Sequence, residues 1–299
     1  MSLKISVVIN TLNNEKDIKR ALESVKWADE VVVCDMHSED QTSEIVRKMG
    51  VKMVFHKRLE YVEPARNFAV SKASGDWVLI IDPDEEVQAS LAEKLMQVAN
   101  NMKQISYLRL PRKNIIFGKW MKASMWWPDY NIRFFKKGEV EWTDKIHRQP
   151  KASDEGLDLP ADEKFAIIHY HYESVSQYLE RMFRYTGVQA DELKKSGCVF
   201  DPKDLIRKPL GEFLGRFFAN KGFEDGLHGL SLSLLQAFSE FVVILRLWEL
   251  SGFKSQEIDL RQLKEIGRQS GEEIDYWFKY GNLSKNTFKR FFQKIGNKL

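Results

Sequence analysis

The chain has 299 residues, 30% charged and 43% hydrophobic, which excludes a disordered or fibrous protein and allows one large domain with an appendage. Lys and Arg number 46 against 43 Asp and Glu, a balance that speaks against a dedicated nucleic-acid binder. Two cysteines, Cys34 and Cys198, can build neither a disulfide framework nor a tetrahedral zinc site, which fits a reducing compartment.

In chain order, Leu3 to Ile9 reads as an apolar strand with no basic lead or cleavage site before it, so a cytoplasmic protein is expected. Val31 to Val33, Val51 to Phe55 and Trp77 to Ile81 read as further strands buried on both faces. Glu15 to Lys26, Glu39 to Met49 and Pro64 to Ala73 read as the helices between them. Pro64 stands in a start position, and Gly50 and Gly75 stand in stop positions. Ser90 with Glu93 three residues on is a capping-box pattern for a fourth helix. Such alternation implies right-handed crossovers and an α/β, doubly wound, mostly parallel sheet. From Tyr107 to Tyr172 the pattern changes to short strand-like pieces rich in aromatics, Trp120, Trp126, Trp127 and Trp142 among them. From Ser174, with Gln177 as its capping partner, the rest reads as helical. The apolar stretch Gly229 to Leu250 is interrupted by Glu240 and Arg246, which makes it a poor spanning helix.

The segment Trp77-Val78-Leu79-Ile80-Ile81-Asp82-Pro83-Asp84-Glu85 places carboxylates directly after a buried strand. Ligands of open parallel sheets bind outside the carboxyl ends of the strands. Pro83 favours an extended Asp82, and in extended chain residues i and i+2 share a side, so Asp82 and Asp84 are expected to share one ligand. A divalent cation such as Mn or Mg, held by carboxylates and a diphosphate together, suits that pattern. A plain acidic turn that caps the next helix is the alternative.

Four motifs stand in register: Ser6 to Glu15, Val31 to Thr42, Ala65-Arg66-Asn67 and Asp82 to Glu85. Together they resemble the family-two inverting glycosyltransferases of the GT-A fold, closest to the bacterial group that contains lipopolysaccharide-core glucosyltransferases. The resemblance covers roughly residues 4–250 and is most specific in the first hundred. It implies a GT-A catalytic domain over residues 1–172, with a nucleotide-sugar half (1–100) and an acceptor half (101–172), and a helical C-terminal extension over 173–299. It further implies that Thr11, Asn13, Glu15 and Asp35 contact the base and ribose of a nucleotide-sugar donor, with UDP the expected nucleotide. Arg66 would approach the diphosphate, and Asp82 and Asp84 would form the metal site. Two positions depart from the pattern. Leu12 stands where many relatives have an aromatic, and His147-Arg148 replaces a His-Glu pair.

Inversion requires a general base for the acceptor hydroxyl. Asp129, in Trp126-Trp127-Pro128-Asp129, is the first candidate, although Arg133 four residues on offers it a structural partner. His147 is the second and Glu141 the third. His169 and His171 alternate on a strand and so face one side, where either is a candidate further metal ligand.

In the C-terminal third, Leu210, Phe213, Leu214, Phe217 and Phe218 line one helical face beside Arg207, Lys208, Arg216 and Lys221. Phe288, Phe291, Phe292, Ile295 and Leu299 repeat the pattern among Lys285, Lys289, Arg290, Lys294 and Lys298. Such faces suit an anionic membrane surface and a lipid-linked acceptor, or else packing on the catalytic domain or in a homodimer. Two rivals remain: a sugar nucleotidyltransferase, which would normally carry a glycine in the Asn10 to Asn14 loop, and a GT-A-fold carbohydrate-binding scaffold without turnover.

Overall fold

Short apolar runs become strands here because helices or a second sheet cover them. The computed structural model describes residues 3–59, 62–102, 104–143, 150–152 and 155–280. The first strands and helices are β1 (Ile5–Thr11), α1 (Ile18–Ser24), β2 (Glu30–Asp35), α2 (Thr42–Lys48), β3 (Lys52–Phe55), α3 (Glu63–Ser71) and β4 (Trp77–Ile81). Then come β5 (Glu85–Val87), α4 (Ala89–Asn101), β6 (Tyr107–Leu110), β7 (Arg112–Ile116), β8 (Lys119–Trp120) and β9 (Asn131–Lys136). The short strands β10 (Val140–Glu141), β11 (Lys151–Ala152) and β12 (Gly156–Asp158) precede β13 (Ile167–Tyr172). Helices α5 (Val175–Lys195), α6 (Asp204–Leu214), α7 (Leu227–Leu250) and α8 (Leu260–Tyr280) follow.

Packing divides the chain into two units, Met1–Ile115 with Trp127–His171, and Ile116–Trp126 with Tyr172–Leu299. The expected acceptor half is therefore interrupted, because residues 116–126 belong with the C-terminal helices.

In the first unit a seven-stranded sheet runs β12-β6-β9-β4-β1-β2-β3. Strands β3, β2, β1 and β4 are parallel, and β9 runs antiparallel between β4 and β6. Every residue of β1 and β4 is buried, as the unbroken apolar runs require. Apolar layers lie on both faces: Leu22, Leu91 and Leu95 cover Val7 and Leu79 on one, while Ala69, Val70 and Trp142 pack with Val8 and Val78 on the other. A second sheet brings β5, β13 and β7 side by side, with His169 opposite Glu85.

Local signals were partly redirected. Gly50 does end α2 with φ +66, in the left-handed region. Gly75 does not end a helix; a Cβ there would lie 2.7 Å from the Ser6 amide, so its role is close approach to β1. The capping box at Ser90 does not form: the cap of α4 is Gln88, and the Ser90 hydroxyl donates to the Lys164 carbonyl. Ser174 caps α5 as its sequence suggests, accepting from the Gln177 amide at 3.1 Å.

In the second unit the Leu210 to Phe218 face, open in sequence to a membrane surface or to packing, forms core. Leu214, Phe217 and Phe218 are buried and pack with Leu210, Phe213, Phe223, Leu230, Ile274 and Trp277. Apolar helical faces are covered by other helices wherever these are available, and α8 supplies the cover. Helix α7 has the length and composition of a membrane span, with a mean hydropathy of 1.6. One stripe of it, Leu232, Val243, Ile244 and Leu247, is nevertheless buried, while Leu234 and Phe238 are exposed. The segment carrying Phe288 to Leu299 lies outside the described residues.

Candidate active site

The site forms at the carboxyl ends of β1, β2 and β4, where the parallel strands deliver their loops. Two corners of different chemistry stand there.

At the ends of β1 and β2, polar side chains bind loops to each other. Asp35 is fully buried; its Oδ1 accepts from the Ser38 amide at 3.0 Å and hydroxyl at 2.7 Å, and its Oδ2 accepts from the Ser43 hydroxyl. Asn13 accepts from the Glu39 amide, Glu15 from the Gln41 amide, and the Thr11 hydroxyl donates to Asn14. Asp40 in turn accepts from the Glu15 amide and from Thr42. The expected donor ligands Thr11, Asn13, Glu15 and Asp35 thus share one region: Asn13 and Glu15 tie the 11–15 loop to the 37–43 loop, Thr11 bonds within the first and Asp35 holds the second.

At the end of β4 the chain turns at once. The Glu85 amide donates to the Asp82 carbonyl at 3.0 Å, and the Glu85 carboxylate accepts from the Asp82 amide at 2.8 Å. The chain is therefore turned here rather than extended, and Asp82 and Asp84 take different partners. Asp82 is held by two guanidinium groups, Arg66 Nη2 on Oδ1 at 3.0 Å and Arg133 Nη2 on Oδ2 at 2.6 Å. Both of its oxygens are thereby ion-paired. Burial pushes the Asp82 carboxyl up, but Arg133 and Arg66 outweigh it and hold the group far below the usual carboxylate range. Glu85, with no exposed surface, accepts from Arg133 at 2.8 Å, and burial raises its carboxyl.

Asp84 faces a histidine. Its Oδ1 lies 3.7 Å from His169 Nε2, while its backbone carbonyl accepts from the Tyr170 amide at 2.9 Å. His169 Nδ1 lies 2.7 Å from Asn114 Oδ1, and Asn114 Nδ2 donates to Asp129 Oδ2 at 2.8 Å. The same Asp129 oxygen accepts from Arg112 Nε at 3.0 Å and Nη2 at 2.7 Å. His171 stacks on His169 with ring centroids 4.5 Å apart, so the two do share a face.

Asp129, expected as the base, therefore stands behind His169, and its Oδ2 carries three donor contacts. Its ion-pair partner is Arg112 rather than Arg133. The antiparallel register that sets Leu79 opposite Phe134 brings Arg133 beside the end of β4 instead. His147 lies outside the described residues, and Glu141 sits on the short strand β10, exposed. Arg112, Asn114, Arg133 and Glu85 were not foreseen as parts of the site. The signal for the first two was polar residues two apart on a strand, Asn114 being fully buried.

Among the described residues no group of three or more His, Cys, Asp or Glu side chains is arranged to hold a metal ion. Asp84 and His169 nonetheless supply one oxygen and one nitrogen at a separation two ligands of one ion can have. Ions that act on phosphates take most remaining ligands from substrate and water. The residues fit such an ion.

The chain as a whole is similar to known proteins. A model of glycosyl transferase family 2 matches residues 6–151. A glycosyltransferase of Rickettsia typhi, itself uncharacterised, is 32% identical over 264 residues, covering 85% of this chain and 90% of that one. The chain is a family-2 glycosyltransferase. This glycosyltransferase also matches the lipopolysaccharide core biosynthesis glycosyltransferase LpsC of Rhizobium meliloti, at 24% identity over 85% of this chain and 95% of that one. Among solved structures, glucosyl-3-phosphoglycerate synthase from Mycobacterium tuberculosis, in complex with Mn2+, UDP-glucose and phosphoglyceric acid, aligns at 24% identity. That alignment covers 39% of this chain and 45% of the other, with a TM-score of 0.33. The mixed sheet of the glycosyltransferase, with its loops at the strand ends, is the GT-A architecture of the family.

Proposed function

We propose that this glycosyltransferase moves a hexose from a UDP-sugar to a glycan or lipid-linked acceptor of the cell envelope, with inversion, and with Mn or Mg held by Asp84 and His169. The observation that carries this reading is the Asp84–His169 pair at 3.7 Å beside the Asp82 turn. When bound, the cation offsets charge gathering on the leaving diphosphate. Arg66, fixed on Asp82, stands at the same turn as a guanidinium suited to phosphate oxygens. The loops laced by Asp35, Asn13 and Glu15 offer their backbone and their outer faces to the nucleoside. Asp129 acts as a positioning group, because a carboxylate oxygen already receiving three donor contacts is a poor proton acceptor.

Transfer from UDP-glucose with Mn2+ tests this reading. Turnover that ceases in EDTA and in Asp84→Ala supports it, and equal rates with and without chelator would sink it. GDP- and dTDP-sugars in the same assay rank the nucleotides.

The lipopolysaccharide-core relative supports a lipid-linked acceptor, and exposed Leu234 and Phe238 together with the basic, aromatic residues 281–299 support a membrane surface. Flotation with anionic liposomes should be lost when the chain ends at Gly281; equal flotation of both forms removes that role. A scaffold without turnover draws support from the engagement of Asp129 and from Arg148. UDP and Mn2+ binding without sugar transfer would establish it.

A further inference from the structure

A histidine donates a lone pair to a cation only from a ring nitrogen that carries no proton, and which nitrogen that is depends on the hydrogen bond made by the other. In this glycosyltransferase the choice is made two residues away from the ring. Asp129 is pinned by Arg112, which donates to its Oδ2 from Nε and Nη2. That carboxylate accepts only, so the Asn114 group 2.8 Å from it is the amide nitrogen. The Asn114 carbonyl oxygen is then turned toward His169 Nδ1 at 2.7 Å. A carbonyl oxygen also accepts only, so in the neutral ring Nδ1 carries the proton and Nε2 has its lone pair on the side where Asp84 Oδ1 stands.

We infer that Arg112, Asp129 and Asn114 form a positioning relay that fixes His169 in the Nδ1–H tautomer and aims Nε2 at the cation shared with Asp84. The inference rests on the metal reading proposed above and extends it by giving three side chains a role that does not touch substrate. Burial makes the relay specific. Asn114 has no exposed surface and His169 is 5% exposed, so water cannot replace the amide, and an inverted amide would set its carbonyl against the Asp129 carboxylate, acceptor against acceptor. Geometry supplies the rigidity. Arg112 and Asn114 are two apart on β7 and therefore reach Asp129 from one face of the strand. His169 is fixed by the pairing of β13 with β5, which sets it opposite Glu85 and next to the Asp84 turn.

The test uses the full-length protein and two variants. Asn114→Leu removes the amide, and Asp129→Asn keeps its shape while allowing the Asn114 amide to invert. The first readout is the His169 ring nitrogens by 15N NMR in metal-free protein at pH 8. The second is Mn2+ affinity by EPR titration in the presence of UDP. Wild type should show one tautomer, protonated on Nδ1. Both variants should show mixed tautomers and bind Mn2+ roughly ten- to a hundredfold more weakly, as losses of such supporting contacts do. Asp129→Asn keeps the test open if Asn114→Leu does not fold. Wild-type protonation on Nε2, or a folded variant with unchanged tautomer and Mn2+ affinity, overturns the relay. Should wild type and Asp84→Ala bind Mn2+ equally weakly, the metal reading fails by itself. The tautomers, read without metal, still decide whether Asn114 and Asp129 control the ring.

Discussion

The two corners at the strand ends are built from similar numbers of acids but from opposite partners. Around β1 and β2, the acids Asp35, Asp40 and Glu15 accept from amides and hydroxyls. Around β4, the acids Asp82, Glu85 and Asp129 accept from Arg66, Arg112 and Arg133, and Asp84 alone faces a histidine. The difference separates loop construction from charge construction. Neutral donors shape a loop without adding charge, whereas guanidiniums fix carboxylates and leave a strongly structured field for an incoming phosphate.

The largest effect expected from this contrast is on stability. Arg133→Met leaves buried Glu85 and half-buried Asp82 without their shared partner and should cost about 3–5 kcal/mol in chemical denaturation. Asp84→Ala should behave in the opposite way, changing stability little while lowering Mn2+-dependent turnover by at least about a hundredfold. Similar stability losses in the two variants would break the division between them. Asp35→Asn should lower stability by about 1–3 kcal/mol, since a buried acceptor of Ser38 and Ser43 becomes partly a donor. Affinity for UDP, measured by calorimetry, should fall less than that. A larger fall in UDP affinity would return Asp35 to the donor site.

The smallest effect lies at the opposite, amino-terminal edge of the sheet. Glu30 accepts from Ser6, Ser74 and Lys52, and these bonds outweigh burial to hold its carboxyl at about 2 against an unfolded value near 4.5. Its lowered value makes its contribution complete above pH 4.5 and lost as pH falls toward 2. Glu30→Gln should therefore lower the melting temperature at pH 7, by an amount corresponding to about 1–2 kcal/mol, and leave it nearly unchanged near pH 2. A constant difference across that range would contradict the assignment.

How much of this was legible depended on the distance over which each residue acts. Strand β4 was readable residue for residue, because Trp77 to Ile81 is an apolar run buried on both faces. The Ser174 cap was equally local. At Asp82 to Glu85, one hydrogen bond from the Glu85 amide turned the chain where extended geometry was assumed. Sequence proximity gave Asp129 the wrong arginine. Arg133 is four residues away in the chain, yet strand register sends it to Asp82, 51 residues distant. Arg112 reaches Asp129 from a neighbouring strand that no periodicity reveals. The aromatic face of α6 read equally well as membrane-facing or as core, and only the presence of Ile274 and Trp277 from α8 decided between them.

Residues 116–126 interrupt the first unit in sequence while belonging to the second. There the Asp225 carboxylate accepts from the amides of Lys122 and Ala123 at 2.9 and 2.8 Å, and the Asn220 carbonyl accepts from Ser124. Stopping translation at Tyr172 would strip those acceptors from the excursion between Asn114 and Asp129. The helical half is therefore not a detachable tail. Domain shuffling, proteolytic trimming and minimal-fragment crystallisation all face the same obstacle, because the polypeptide is sewn through both bodies and neither can be excised by a single cut.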